Sequence, residues 1–253
     1  LLGSISRSFS RVGRSSMIPE SKLIEENQSH HISPSSYVTE DALKISEIYR
    51  NELNISIWQR KLNDLLIKSS ENVLNNNPNL EYSEVLKPVE VKQSLESVLG
   101  DNIEVSPFIK DVSYLSFMFC KLFSQKKLWL RLDGIDHPMC PRFHTDKIRC
   151  RLVTTYVGPA TQWLPHNLVD RKKLGFGNDG KPDDQSGLFQ SKQDIKQLDR
   201  GHVALLKGES WEGNEGAGIV HRSPHLEGNY KRLYLTVDFI ESFINIYGRS
   251  LIF

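Results

Sequence analysis

Three short apolar stretches near the C-terminus indicate the fold class: Gly201-His-Val-Ala-Leu-Leu-Lys-Gly208, Gly218-Ile-Val-His-Arg-Ser-Pro224 and Arg232-Leu-Tyr-Leu-Thr-Val-Asp-Phe239. Each has the length of a β-strand, and glycine, proline or polar residues separate them. Residues 127–132 and 148–156 alternate in the same way. Consecutive strand patterns without helical patterns between them predict a sandwich or barrel for residues 126–253.

Residues 37–125 show a mainly helical pattern instead. Apolar residues recur every three or four positions at Ala42, Ile45, Ile48 and Tyr49, and further helices are predicted over 85–99 and 112–123. A short extended piece at 54–58 interrupts this pattern. The sequence therefore predicts one α+β domain over 37–253. In it, an N-terminal helical layer packs on a C-terminal double-stranded β-helix, a cupin-like or jelly-roll-like barrel.

The first 36 residues have the composition of a disordered tail or a targeting segment. They contain Arg7, Arg11 and Arg14 and no acidic residue before Glu20, which is typical of a mitochondrial or plastid transit peptide. The alternative is an upstream stretch that precedes a start at Met17. We therefore expect a cytoplasmic protein, or a mitochondrial or plastid one if the segment is a transit peptide.

The overall composition excludes several classes of protein. Lysine and arginine number 32 against 31 acidic residues, so no basic surface for nucleic acid is expected. Apolar runs fall far short of the roughly 20 residues that a membrane helix needs. Three cysteines are too few for a disulfide framework. The expected partner is a small-molecule or protein substrate whose identity the sequence does not give.

His144 and Asp146 are candidate metal ligands. Residues at positions i and i+2 of an extended strand project to the same face, so one imidazole and one carboxylate can reach the same ion. His221, at the end of Gly218-Ile-Val-His221, is the candidate third ligand. Two histidines and one carboxylate form the facial triad of non-haem Fe(II) oxygenases, which leaves coordination positions open.

Arg232 adds a co-substrate anchor to this pattern. It follows His221 by eleven residues, the spacing found in Fe(II)/2-oxoglutarate oxygenases, where the guanidinium binds the distal carboxylate of 2-oxoglutarate. Strand parity from His144 and Asp146 places Thr154 and Tyr156 nearby. The glycine- and aspartate-rich segment 166–200 is predicted to be a mobile lid at the pocket. The leading hypothesis is thus an oxygenase that uses Fe(II) and 2-oxoglutarate.

Several alternatives use the same residues. The triad could bind Zn²⁺ in a non-catalytic metal-homeostasis protein. A structural zinc site could combine Cys140 with neighbouring histidines, and Cys140 could also be a nucleophile or a buried apolar residue. In the simplest alternatives the histidines are ordinary strand residues, Arg232 pairs with an acid, and the domain is a β-sandwich binding module without a metal.

The stretch around the His-x-Asp pattern resembles the DUF1826 family, a domain of unknown function. It runs Cys140-Pro-Arg-Phe-His-Thr-Asp-Lys-Ile-Arg-Cys-Arg-Leu-Val-Thr-Thr-Tyr-Val-Gly-Pro-Ala-Thr-Gln-Trp-Leu-Pro165, and the resemblance covers about residues 40–245. It implies a single soluble domain and no particular reaction. The family's association with zinc-homeostasis gene neighbourhoods supports the zinc alternative. Gln162 replaces a glutamate common in the family, so an essential acid at this position is not expected.

Overall fold

The computed structural model describes residues 34–137, 139–225 and 231–241. Most of the predicted tail or targeting segment, up to residue 33, lies outside the described residues. The first strand begins at Ser35, just before the predicted tail boundary at residue 36. None of the helices in the described ranges is long and apolar enough to span a membrane.

Strands and helices alternate in the first half of the described chain, and strands dominate the second. The strands are β1 (Ser35–Thr39), β2 (Leu53–Trp58), β3 (Glu81–Leu86), β4 (Leu128–Ile135), β5 (Cys150–Val157), β6 (Gln162–Leu164), β7 (Lys196–Gln197), β8 (Val203–Lys207), β9 (Val220–Arg222) and β10 (Arg232–Asp238). The α-helices are α1 (Asp64–Asn76), α2 (Val91–Leu99) and α3 (Ser106–Leu122). The 3₁₀ helices are Ala42–Tyr49, His166–Leu168, Arg171–Lys173, Gly175–Asn178 and Lys192–Asp194.

The strands form two sheets. The large sheet has seven strands in the order β1-β2-β8-β5-β10-β4-β3, and the small sheet has three in the order β7-β6-β9. Among the described strands, only β1 and β2 pair in parallel. From β4 onward the chain passes repeatedly between the two sheets, because β5, β8 and β10 belong to the large sheet and β6, β7 and β9 to the small one. The result is a mixed α+β fold with one dominant sheet.

Alternation along the strands divides the large sheet into a helix-covered face and a face toward the small sheet. On β10, Leu233, Leu235 and Val237 join a core cluster with buried residues of α1, α2 and α3. The intervening Arg232, Tyr234 and Thr236 line a cavity on the opposite face. A second apolar cluster, which includes Ile57, Trp163 and Ile219, joins the two sheets. The polar residues of β10 therefore lie inside the protein and not in solvent.

The first half contributes more to the sheet than the helical pattern of 37–125 predicts. β1, β2 and β3 all belong to the large sheet, and of these only β2 coincides with the predicted extended piece. The helix predicted over 85–99 begins at Val91 because β3 occupies 81–86. β1 and β3 are edge strands with several exposed residues, so they lack the strict apolar alternation that reveals a half-buried strand.

A buried charged group fixes α3 to the sheet. The Asp111 carboxylate accepts hydrogen bonds from Arg60 Nη1 at 2.6 Å and Nη2 at 2.9 Å, and from the Tyr156 hydroxyl at 2.7 Å. The side chains of Arg60 and Asp111 are only 10% and 13% exposed. Removing one member of such a group leaves the others buried without partners. The resulting loss in the free energy of unfolding exceeds the stability that the complete group contributes.

We expect Asp111→Ala to lower the free energy of unfolding by about 3–5 kcal/mol, because Arg60 loses its buried counter-ion. Urea denaturation followed by circular dichroism measures this loss. The matched control is Glu96→Ala, which breaks the Lys92–Glu96 pair on the exposed side of α2 and should cost less than about 1 kcal/mol. Equal losses in the two variants would contradict this role of Asp111.

Candidate metal centre

Backbone pairing brings His144 and His221 face to face. The two residues form an isolated antiparallel bridge, in which His144 N–H donates to His221 O at 3.1 Å and His221 N–H donates to His144 O at 3.0 Å. Residues directly opposite each other in an antiparallel pair project to the same side. The imidazole centroids are accordingly 4.6 Å apart.

Asp146 completes a group of three converging side chains. Its Oδ1 lies 3.6 Å from His144 Nε2, and its Oδ2 lies 3.5 Å from His221 Nε2. One ligand atom from each residue lies within 4.8 Å of the others. Ligands of one ion are about 3 Å apart when each is roughly 2.1 Å from it, so the three atoms would have to approach one another by up to about 1.8 Å to share an ion.

The hydrogen bonds of both histidines leave the correct nitrogen free for a metal. His144 Nδ1 donates to Arg142 O at 2.9 Å, and His221 Nδ1 donates to Ile219 O at 3.2 Å. A proton on Nδ1 leaves the lone pair on Nε2, and both Nε2 atoms face Asp146. Two neutral imidazoles and a carboxylate are a donor set that fits a divalent Fe or Zn ion.

A close backbone approach holds the turn that follows Asp146. The carbonyl of Asp146 accepts a hydrogen bond from Glu209 N at 2.9 Å. A Cβ on Gly208 would lie 2.2 Å from Ile148 O and 2.7 Å from Asp146 O. Only glycine fits there, because these neighbours are rigid backbone atoms. The end of β8 therefore sets the position of the carboxylate ligand.

Arg151 binds the outer side of the Asp146 carboxylate. Its Nη1 lies 2.5 Å from Asp146 Oδ2, and its Nε donates to Asp238 Oδ1 at 2.8 Å. Asp238 Oδ2 in turn accepts a hydrogen bond from Arg131 Nη2 at 2.8 Å. These four side chains alternate in charge from the candidate metal ligand to β4. Arg151 thus contacts Oδ2, and Oδ1 would be available to a metal held by this group.

Burial and neighbouring charges set the protonation of the three candidate ligands. Burial raises the pKa of Asp146, but Arg151 and the histidines more than offset this and hold it well below its usual value. Burial lowers the pKa of His221 to about 4, against the attraction of Asp146. For His144 the burial effect also lowers the pKa, but Asp146 outweighs it, so the pKa is raised. At neutral pH, Asp146 is a carboxylate and His221 a neutral ligand.

Arg232 is a buried cation without a carboxylate partner among the described residues. It is 2% exposed, and it donates to the hydroxyls of Ser223 at 3.2 Å, Thr155 at 3.3 Å and Thr161 at 3.0 Å. Its Nε has no hydrogen-bond partner in the described ranges, and its guanidinium carbon lies 4.5 Å from the centre of the Tyr234 ring. Burial lowers the pKa of Arg232 to about 10. An uncompensated buried guanidinium is costly unless an anion binds to it.

Arg232 and the two histidines line the same small cavity. It has a volume of about 90 Å³, so it suits a small co-substrate. A larger cavity of about 690 Å³ adjoins it at Arg222, which lines both. The side chain of His144 is 34% exposed, which leaves the candidate metal centre accessible from outside.

The two residues placed by strand parity, Thr154 and Tyr156, lie on the other face of β5. Tyr156 belongs to the helix-side core and bonds to Asp111, and Thr154 alternates with it. Arg151, Val153 and Thr161 line the cavity instead. The parity prediction is therefore wrong, because the chain leaves the extended conformation at 147–149 where it crosses from the small sheet to the large one.

The structural zinc site proposed around Cys140 does not form among the described residues. There, His144, Asp146 and His221 are the only set of three or more potential ligands that converge. Cys140 lines the small cavity without joining this set, and burial raises the pKa of its thiol. His137 is exposed and pairs with Asp136. A higher thiol pKa also disfavours Cys140 as a nucleophile.

The segment 166–200 is anchored to the protein and borders the larger cavity. Leu188 and Phe189 pack with Phe143 of the His-x-Asp stretch, and Asp183 Oδ2 accepts from Phe143 N at 2.9 Å and Arg222 Nη1 at 3.1 Å. Its residues between Gly180 and Gln197 line the larger cavity. The segment lies beside the candidate site, as expected of a lid, but it packs there through apolar and ionic contacts.

Comparison with known proteins gives a family and a set of distant structural likenesses. A family model described as "Protein of unknown function (DUF1826)" matches residues 39–238. A search of curated proteins finds no match. The structure is similar to a dioxygenase for auxin oxidation (DAO) in rice, with a TM-score of 0.46 and 10% identity over 81% of this chain and 82% of that chain.

Two further solved structures show likenesses of the same order. One is a Pseudomonas putida prolyl-4-hydroxylase, with a TM-score of 0.41 and 9% identity over 77% of this chain and 95% of that chain. The other is a full-length Neurospora crassa protein in complex with alpha-KG, with a TM-score of 0.41 and 9% identity over 77% of this chain and 76% of that one. Identities and TM-scores this low do not assign a function.

We expect Arg151→Gln to weaken Mn²⁺ binding by about 10–100-fold, because Asp146 loses the partner that orients it. Isothermal titration of metal-free protein with Mn²⁺ measures the affinity. Arg149→Gln is the matched control, since Arg149 is exposed and stacks on Phe239. An Arg151→Gln variant that folds and binds Mn²⁺ as tightly as the unmodified protein would refute this orienting role.

Proposed function

We propose that this chain, which belongs to the DUF1826 family, is a non-haem Fe(II)- and 2-oxoglutarate-dependent oxygenase. The observation that carries the proposal is Arg232, a buried guanidinium without an acidic partner in the described residues, in the same cavity as His144 and His221. A metal store would need the three ligands but not this cation. An oxygenase needs both, because its co-substrate is a dianion that binds the metal at one end.

The strand arrangement supports the finer assignment of the fold. We propose that β4 to β10, together with the bridged residue His144, form a double-stranded β-helix covered by the helices on one side. The bridge adds a fourth position to the small sheet beside β9. The passage of the chain from sheet to sheet then follows a jelly-roll path, with the triad at the point where the two sheets open.

The residues around the cavity have separate tasks in this reaction. Fe(II) with 2-oxoglutarate supplies the chemistry that splits O₂, giving one oxygen atom to the substrate and one to succinate, with release of CO₂. His144, Asp146 and His221 would hold the metal and leave three positions open. Arg232 would bind the distal carboxylate of 2-oxoglutarate, with Ser223 and Thr161 fixing the guanidinium. Arg151 would keep Asp146 bound through one oxygen.

The larger cavity is the proposed site of the primary substrate. It adjoins the small one at Arg222, and Arg142 and Pro141 of the His-x-Asp stretch lie in its wall. Apolar walls such as Phe189 and Ile195 combine there with a rim of charged groups. A small molecule or an exposed protein segment bound there would lie beside the metal centre.

Arg232→Ala should weaken 2-oxoglutarate binding at least about tenfold and leave metal content unchanged, because a charge-assisted arginine–carboxylate pair contributes roughly 1.5–3 kcal/mol. Arg232→Lys should restore little, since an ammonium cannot form the two parallel hydrogen bonds. The measurement is elemental analysis of anaerobically purified protein followed by titration of the Fe(II)- or Mn(II)-loaded protein with 2-oxoglutarate. Arg149→Ala is the control for loss of a guanidinium.

The same titration separates this proposal from the zinc alternative. If the metal-loaded protein binds no 2-oxoglutarate, or if it is purified with zinc and retains zinc against added Fe(II), the oxygenase is ruled out. A non-catalytic zinc-binding protein that uses His144, Asp146 and His221 is then the better interpretation.

A further inference from the structure

The small cavity contains more unsatisfied hydrogen-bond donors than Arg232 alone. Arg131 Nε, Thr236 Oγ1 and Arg232 Nε are buried without a partner in the part of the chain that the structure describes, and all three residues line this cavity. Buried polar atoms without partners are uncommon. Three of them around one cavity indicate a ligand with acceptor atoms in more than one place.

Arg131 and Thr236 form a pair at one place in this cavity. Arg131 on β4 lies directly opposite Thr236 on β10 in the antiparallel register, so their side chains project to the same side. Asp238 holds Arg131 Nη2 at 2.8 Å, and the guanidinium carbon lies 4.2 Å from the centre of the Trp129 ring. These contacts fix the guanidinium, while its Nε–H and the Thr236 hydroxyl have no hydrogen-bond partner among the described residues.

This pair and Arg232 lie at different ends of the cavity. Thr236 is four residues beyond Arg232 on β10, which corresponds to about 13 Å along the strand. Arg131 connects to the candidate metal ligand through Asp238, Arg151 and Asp146. Arg232 is not part of this chain of ion pairs and donates to the hydroxyls of Ser223, Thr155 and Thr161. The Arg131–Thr236 pair is therefore the donor group on the metal side.

The cavity wall carries guanidinium groups and no acid among its described residues. Arg131, Arg151, Arg222 and Arg232 line it, and none of its described lining residues carries a carboxylate. Three of these arginines pair with acids that do not line the cavity, namely Asp238, Asp146 and Asp183. Of the four, only Arg232 therefore lacks an acidic partner among the described residues. A dianion would pair with Arg232 through one carboxylate and accept hydrogen bonds from the free donors of Arg131 and Thr236 through the other.

We infer that Arg131 and Thr236 form a second carboxylate subsite, which receives the metal-side carboxylate of a 2-oxo acid while Arg232 binds the distal one. This inference rests on the proposed function and makes it more specific: the cavity selects a dicarboxylic 2-oxo acid by holding both ends. Arg131 and Thr236 are positioning residues for the co-substrate, and a 2-oxo acid with a single carboxylate uses this subsite alone.

Two probes distinguish the two ends of the cavity. The full chain, loaded with Mn²⁺ without oxygen, is titrated with 2-oxoglutarate and with 2-oxobutyrate, which lacks the distal carboxylate. Thr236→Val, which keeps the shape of the side chain and removes the hydroxyl, should weaken both ligands about three- to tenfold. Arg131→Gln should weaken both at least tenfold, whereas Arg232→Ala should weaken only 2-oxoglutarate.

A matched control lies on the neighbouring strand. Thr154 is also a buried threonine whose hydroxyl has no partner, but it alternates with Tyr156 on the helix side of β5. Thr154→Val should therefore leave both affinities unchanged. Mn²⁺ affinity, measured first for each variant, should stay within twofold of the unmodified protein for Thr236→Val, because that substitution removes no charge.

The outcomes separate this inference from the proposed function. In one outcome, the unmodified protein binds 2-oxoglutarate and Arg232→Ala no longer does, but Thr236→Val and Arg131→Gln bind both ligands normally. That outcome refutes the subsite and leaves the oxygenase proposal standing. Weakening of 2-oxoglutarate alone by Thr236→Val would assign the pair to the distal carboxylate and refute the metal-side assignment. If the unmodified protein binds neither ligand, the proposed function fails and the subsite fails with it.

Discussion

Two backbone hydrogen bonds between His144 and His221 hold together the part of the molecule on which the candidate site depends. They join the His-x-Asp stretch to the edge of the small sheet and put both imidazoles on one side. Asp146, two residues further, then reaches the same point. A shift of this pairing by one residue would turn one imidazole to the opposite face, so the register of a single bridge determines whether three ligands converge.

The charges around this bridge are arranged so that only one remains uncompensated among the described residues. Asp146, Arg151, Asp238 and Arg131 alternate in sign, and each buried carboxylate contacts at least one guanidinium. Such a network contributes little net stability, but it is costly to break. Arg232 stands outside it: among the described residues it contacts three hydroxyls and the Tyr234 ring but no acid. Burying such a cation is costly, and in the proposed function the distal carboxylate of the co-substrate would offset that cost.

The sequence revealed the residues that depend on local geometry. The His144–Asp146 pair follows from the two-residue period of a strand, and the polar face of β10 follows from the alternation of Arg232, Tyr234 and Thr236 with leucine and valine. The parity argument for Thr154 and Tyr156 failed because the chain turns at 147–149, where Gly208 allows a close backbone approach. The contacts of Arg151 with Asp146, and of Arg131 with Asp238, depend on which strands pair, and a single sequence does not show this. Segment 166–200 was predicted to be mobile because it is rich in glycine and aspartate. That composition gave no sign that Leu188 and Phe189 pack in an apolar cluster.

The donor set alone does not separate iron from zinc, since imidazole and carboxylate bind both. The surroundings of the three ligands are more informative. A closed structural zinc site has four protein ligands, whereas the described residues here provide three, and Cys140 lines the nearby cavity without converging on them. His144 and His221 line a cavity that four guanidinium groups also line. An oxygenase and a metal-storage protein would therefore use the same three ligands. They would differ in the need for a buried arginine without an acidic partner, and Arg232 is such an arginine among the described residues.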